Sequence, residues 1–193
     1  MIASLSFHEA AHAWTADRLG DPTARMLGRI TLNPIAHIDW IGTVLFPIVA
    51  MTTGAPLLGW AKPVPVNFHN LKAPRRDFAL IAAAGPISNL VLAVAGALVL
   101  ALVYDLAAPN LYWLFRLLAQ AVATNVLLAI FNLIPVPPLD GGNVLAGFVP
   151  ESVAHAIDQL RPYGFIILYG LLLTGVLVRV VAPLADRILR VLL

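Results

Sequence analysis

FALIAAAGPISNLVLAVAGALVLALVY, residues Phe78 to Tyr104, carries no charged side chain, and only Ser88, Asn89 and the terminal Tyr104 are polar. A helix satisfies its own backbone groups in hydrocarbon, and this run exceeds the ~20 residues needed to span a bilayer. Three more uncharged stretches share the pattern: Trp40 to Ala61, Leu117 to Leu139, and Tyr163 to Val178, which continues past Arg179 toward Ala185. Ile2 to Leu19 reads as a fifth helix, rich in Ala and Leu, although it carries His8, Glu9, His12, Asp17 and Arg18. These segments predict an all-α polytopic membrane protein with about five membrane segments. Over the 193 residues, 60% are hydrophobic and only 11% charged, against roughly a quarter charged in a soluble domain. The mean hydropathy is +0.87. A single membrane-embedded domain over residues 1–193 is expected, placed in the cell membrane as a multi-pass protein with the lipid bilayer as its solvent.

The net charge of +2 is small and lies in loops, which gives no support to nucleic-acid binding and reads instead as topology. Arg18, Arg25 and Arg29 populate the first loop, and Lys62, Lys72, Arg75 and Arg76 the second. No Lys or Arg falls between Asp105 and Asn110. If both basic loops face the cytoplasm, Trp40 to Ala61 is not a simple crossing. Its Pro47, Gly54, Pro56 and Gly59 suit a re-entrant hairpin, and a plain transmembrane helix is the other reading. Trp40, Trp60 and Trp113 end apolar runs and are expected as interface anchors. The start has no cleaved-signal pattern. The absence of cysteine excludes disulfides and thiolate metal sites, so any metal must be held by His, Asp or Glu.

His8-Glu9-Ala10-Ala11-His12 is an HExxH motif. On a helix its i, i+4 spacing sets both imidazoles on one face, one turn apart, with Glu9 beside a shared metal as a general base and acid for peptide hydrolysis. A polar helix end with snorkelling side chains is the bland reading. A catalytic zinc takes three protein ligands, so a third must come from elsewhere. Phe131-Asn132-Leu133-Ile134-Pro135-Val136-Pro137-Pro138-Leu139-Asp140-Gly141-Gly142 offers Asp140 at the end of an apolar run, where a carboxylate needs a counter-ion or metal. A surface turn would also use Pro, Asp and Gly.

FHEAAHAW and FNLIPVPPLDGG together resemble the site-2 protease family of zinc intramembrane metalloproteases. The likeness extends through Ala83-Ala84-Gly85-Pro86-Ile87-Ser88-Asn89-Leu90, LGRITLNPIAHID at Leu27 to Asp39 and GWAKPVPVN at Gly59 to Asn67. It covers residues 5–143, the core, and leaves a C-terminal helix and tail at 150–193. The resemblance is to the compact bacterial and archaeal branch without inserted peptide-binding or nucleotide-sensing modules. That family's zinc helix normally has more apolar chain ahead of its motif than the seven residues here, so the start lies upstream or the helix is short.

The resemblance implies that His8, His12 and Asp140 ligate one Zn2+ per chain and that Glu9 activates the water. It also implies that Asn132 hydrogen-bonds the oxyanion, for which a helix-to-helix hydrogen bond is the competing role. Asn89 and Asn125 are expected in helix packing, with Gly85 and Gly96 permitting close approach. His37, His69 and His155 are expected as polar loop residues outside the zinc set. Gly28 to Leu32 and Trp60 to Asn67 resemble strands that receive an unwound substrate, with Val64 and Val66 pairing along one edge. The implied function is a zinc-dependent intramembrane endopeptidase cutting a transmembrane or membrane-proximal segment of another membrane protein, typically releasing a regulator. The alternative is a non-enzymatic membrane metal carrier or substrate-binding scaffold.

Overall fold

The structure, a computed structural model, describes residues 1–54, 59–105 and 112–193. Every regular element among them is helical. Pro56 and most of the loop after Asp105 lie outside the described residues.

Helix α1, Ile2–Arg18, buries Ser4, Ser6, His8, Glu9, His12, Ala13 and Ala16, while Ile2, Phe7 and Trp14 are exposed. Its polar face points inward and its apolar face outward, the inverse of a soluble helix and the arrangement lipid demands. A short turn of helix, α2 (Thr23–Met26), follows. A π-helical turn at Trp40–Leu45 then leads into α3, Phe46–Thr53, which ends at Gly54 in the left-handed conformation (φ 71°). The chain comes back: the Trp60 amide donates to the Gly42 carbonyl (3.3 Å) and the Thr43 hydroxyl to the Trp60 carbonyl (2.9 Å). The two ends of this segment therefore meet, the geometry of a hairpin and not of a single crossing.

Helix α4, Pro74–Asp105, is the scaffold. Ala79, Ala82, Asn89, Ala93 and Ala97 recur on its buried side, small residues that let neighbouring helices close in. Pro86 lies inside it, a residue that membrane helices tolerate when neighbours satisfy the freed backbone. Helix α4 packs against α1, against α5 (Tyr112–Asn132) and against α6 (Asp140–Phe148). Helix α5 buries Val122, Asn125, Val126 and Ala129, an i, i+3, i+4, i+7 stripe. Ala93 and Ala97 meet Val122, Val126 and Ala185 in the largest apolar cluster, and a Cβ on Gly96 would touch Val122 Cγ2 at 3.0 Å. Ala185 belongs to the last helix, α9 (Val176–Leu192), which follows α7 (Glu151–Leu160) and α8 (Gly164–Leu173). A left-handed Gly175 (φ 73°) marks a 75° bend before α9.

Two expectations need correction. Among the described residues, only α4 and α5 are long and apolar enough to cross a membrane, or three spans if the bent pair Glu151–Leu173 and Val176–Leu192 counts as one, not about five. Helix α1 has 17 residues and five ionisable side chains, α5 stops at Asn132 before Pro135, Pro137 and Pro138, and the last apolar run breaks at Gly175. The strand-like segments also do not form strands among the described residues. Gly28 takes a left-handed turn (φ 66°), and Pro63 and Pro65 have no N–H to give a ladder.

Candidate metal centre

Helix α1 delivers His8 and His12 to its buried face one turn apart, with ring centroids 4.6 Å apart and planes at 86°. Each imidazole is fixed from behind by α4. His8 Nδ1 donates to Asn89 Oδ1 (2.7 Å) and His12 Nδ1 to the Ile81 carbonyl (2.6 Å). Because both Nδ1 atoms donate, both Nε2 atoms of the neutral rings keep their lone pairs. Those lone pairs face Asp140 Oδ2 at 3.1 Å from His8 and 3.5 Å from His12.

Asp140 reaches this point because the Pro-rich turn after α5 ends the helix, and α6 begins at Asp140 itself. Gly141 and Gly142 make the approach possible: a Cβ on Gly141 would fall 2.3 Å from the Leu133 carbonyl oxygen, and one on Gly142 2.9 Å from Pro137 N. Gly85 opens the opposite side, where a Cβ would sit 2.4 Å from His12 Nε2 and 2.6 Å from His8 Cε1.

Asp140 Oδ2 is buried and lacks a hydrogen-bond partner. With both rings neutral, two lone pairs and an anionic oxygen converge, a repulsion that a bound metal ion relieves. Among the described residues, His8, His12 and Asp140 form the one group of three such side chains able to hold a metal, their ligand atoms all lying within 4.8 Å. Two imidazoles and a carboxylate suit zinc, and the second ring nitrogens carry the orienting bonds that such ligands ordinarily make.

Glu9 is buried and lines a cavity of about 370 Å³ together with the three ligand candidates. The rest of its wall, apart from Asn143, is apolar: Trp60, Pro63, Val64, Val66, Phe131, Leu168 and their neighbours. Trp60, expected as an interface anchor, instead stacks between Phe46 and Phe165 at 4.9 and 4.8 Å and forms part of this wall. Trp40 and Trp113 are exposed. Asn132 is half-buried, outside the cavity lining, and its Nδ2 donates to the Leu128 carbonyl one turn back in α5.

Asn89, expected in packing, does both jobs. Its Oδ1 receives His8, and its Nδ2 donates to Asn125 Oδ1 (2.9 Å) and to the Ser4 carbonyl (3.2 Å), tying α1, α4 and α5 together. Its membrane depth was the sequence signal. His37 is buried, with Nε2 donating to the Thr31 carbonyl. Neither His37, His69 nor His155 joins the metal group.

Residues 104–174, which include α5, the Pro turn and Asp140, match the sequence profile of Peptidase family M50. The chain is 39% identical over 178 residues to "Putative zinc metalloprotease YwhC" of Bacillus subtilis, covering 90% of this chain and 78% of that protein. It is 31% identical over 179 residues to a protein of the same description, Rip2 of Mycolicibacterium smegmatis, across 92% of this chain and 66% of Rip2. Rip2 of Mycobacterium tuberculosis H37Rv is 29% identical over 176 residues, again with 66% of its length spanned. No solved structure matches. The chain is a zinc metalloprotease belonging to peptidase family M50, the site-2 protease family.

Proposed function

We propose that this metalloprotease is an intramembrane endopeptidase that cuts a transmembrane or membrane-proximal segment of another membrane protein, with one zinc per chain held by His8, His12 and Asp140. The observation that carries the reading is the convergence of His8 Nε2, His12 Nε2 and the unpartnered Asp140 Oδ2 with Glu9 in the lining of one cavity. Zinc bound there supplies Lewis acidity, polarising the scissile carbonyl and making water a nucleophile near neutral pH. Glu9 takes the proton of the attacking water and returns it to the leaving amine, and its burial in an apolar wall keeps that proton from bulk solvent. Asn89 and the Ile81 carbonyl keep both imidazoles in one tautomer throughout.

A helical substrate hides its peptide bonds, so the scissile segment has to be extended. Pro63 to Val66 supports this: among the described residues the Val64 and Val66 N–H groups have no partner, and both residues line the cavity, where an extended peptide could accept from them. The apolar wall suits substrate side chains and not an ion path, which weighs against a metal carrier. Asn132 bonds within its own helix, to the Leu128 carbonyl, and lies outside the cavity lining, so neither the oxyanion role nor a helix-to-helix bond gains support. Localisation in the cell membrane as a multi-pass protein is part of this reading, supported by the length and apolar character of α4 and α5.

The test is cleavage of a panel of single-pass membrane proteins by the reconstituted chain and by Glu9→Gln, with zinc quantified in both. Cleavage by the wild type alone, with zinc retained by the variant, is the expected result. Equal cleavage by both would remove Glu9 from the chemistry.

A further inference from the structure

We propose that Arg29 is a positioning residue for the substrate: it holds the cavity wall formed by Ala61 to Val66 from behind by gripping two successive carbonyls. The proposal rests on the proteolytic reading of the same cavity. Arg29 follows the left-handed turn at Gly28 and points inward, with only 5% of its surface exposed. Its Nη1 donates to the Pro63 carbonyl (3.2 Å) and its Nη2 to the Lys62 carbonyl. Its Nε is buried with no partner, and among the described residues no carboxylate forms an ion pair with it.

A buried cation without an ion pair is expensive, so its place needs a return that a neutral residue would not give. The wall supplies one. Pro63 and Pro65 have no N–H, and this segment joins no sheet, so its own amides cannot fix it. What remains is to hold it by its oxygens. The planar guanidinium fork can span two neighbouring carbonyls, which the single ammonium of lysine cannot. The segment is anchored at both ends as well, by Lys62 N to the His37 carbonyl (2.8 Å) and by Asn67 N to Asp21 Oδ2 (2.7 Å). Between those anchors Arg29 makes the only hydrogen bonds to it among the described residues, Val66 packs against Ala16, Leu71 and Ile81, and Pro63, Val64 and Val66 line the cavity shared with His8, Glu9 and Asp140. Burial draws the Arg29 guanidinium below its ordinary value, and the Glu9 carboxylate opposes this.

The test uses the full chain in lipid vesicles as wild type, Arg29→Gln and Arg29→Lys. It measures amide exchange over residues 60–67, bound zinc, and the kinetics on a single-pass membrane protein that the wild type cleaves. Arg29→Gln is expected to speed exchange in that segment while α4 and α5 stay protected and zinc is retained. It should raise KM about tenfold with kcat within about twofold, as loss of two charge-assisted hydrogen bonds implies, with Arg29→Lys intermediate. Unchanged exchange and KM, or a fall in kcat at constant KM, overturns the proposal. If Arg29→Gln fails to fold, Arg29→Lys decides: wild-type exchange and KM would show that the two-carbonyl grip is not needed. If the wild type cleaves nothing in the panel, the proteolytic reading fails, while exchange still decides whether Arg29 holds the wall.

Discussion

Single residues set the metal centre, and two of them are not ligand candidates. Asn89→Ala removes the acceptor that fixes His8 Nδ1, so it is expected to weaken zinc binding by about 10–100-fold while Glu9 stays in place. Competition with a chelator of known affinity measures this, and unchanged zinc affinity would reduce Asn89 to helix packing. Gly85→Ala puts a methyl group 2.4 Å from His12 Nε2, and the ring cannot retreat without breaking its bond to Ile81. It should lose zinc at least about tenfold while helical circular dichroism is retained. The ligand candidates were legible because HExxH and Asp140 are ionisable residues in a chain that has few. Asn89 was legible as a polar residue at membrane depth, but its partner was not, since the bond joins residues 81 positions apart. Trp60 misled for a related reason: an indole at the end of an apolar run anchors at an interface or turns inward, and only Phe46 and Phe165 decide which.

Among the elements, the segments between helices carry most of the precision. The Pro turn after α5 and the start of α6 touch backbone to backbone at Gly141, where Gly141→Ala would drive a methyl into the Leu133 and Ile134 carbonyls. Because backbone cannot swing aside as a side chain can, this variant is expected to displace Asp140 and abolish zinc binding, read by metal content after purification. Asp21 pins the loop after α1. It is fully buried and accepts from Thr23 N, Thr23 Oγ1, Asn70 Nδ2 and Asn67 N. Burial raises its pKa, and the donors from Thr23, Asn70 and Asn67 more than offset this, so the carboxyl stays below its usual range. A depressed folded pKa gives stability that is present above the unfolded value and lost as pH falls through the folded one. Asp21→Asn should therefore lower stability by about 1–3 kcal/mol near neutral pH, with the gap to wild type closing below about pH 4. Thermal melts across that range test it, and a constant gap would refute the charge dependence. None of these tethers was legible in the sequence. Prolines, glycines and short alternation around Trp60 to Asn67 suggested strands, and the fold answers with side-chain grips from Arg29 and Asp21 because the prolines cannot donate.

At the scale of the molecule, α4 is the element that α1, α5 and α6 all touch, and the candidate site residues gather on its small-residue side. The return of Trp60 to Gly42 brings the ends of the 40–61 segment together, from which the first two basic loops are expected on one side of the membrane. The cysteine-free sequence makes this directly testable. Single cysteines at Thr31 and Lys72 are expected to react with an impermeant thiol reagent from the same face of sealed vesicles, and labelling from opposite faces would restore a full crossing for 40–61. The all-helical membrane class was legible from hydropathy alone. The number of spans was not, since hydropathy cannot register a helix that turns back or the break at Gly175.

The tethering of both imidazoles to α4, with Asp140 beyond it, also has a consequence in time. A chain made from its N-terminus exposes HExxH first, the Asn89 and Ile81 acceptors later, and Asp140 last. Until residue 140 has left the ribosome, the histidines have neither a third partner nor, before α4, a fixed orientation. On the proposed ligand set, the site is therefore incomplete until α1, α4 and the start of α6 have all been made.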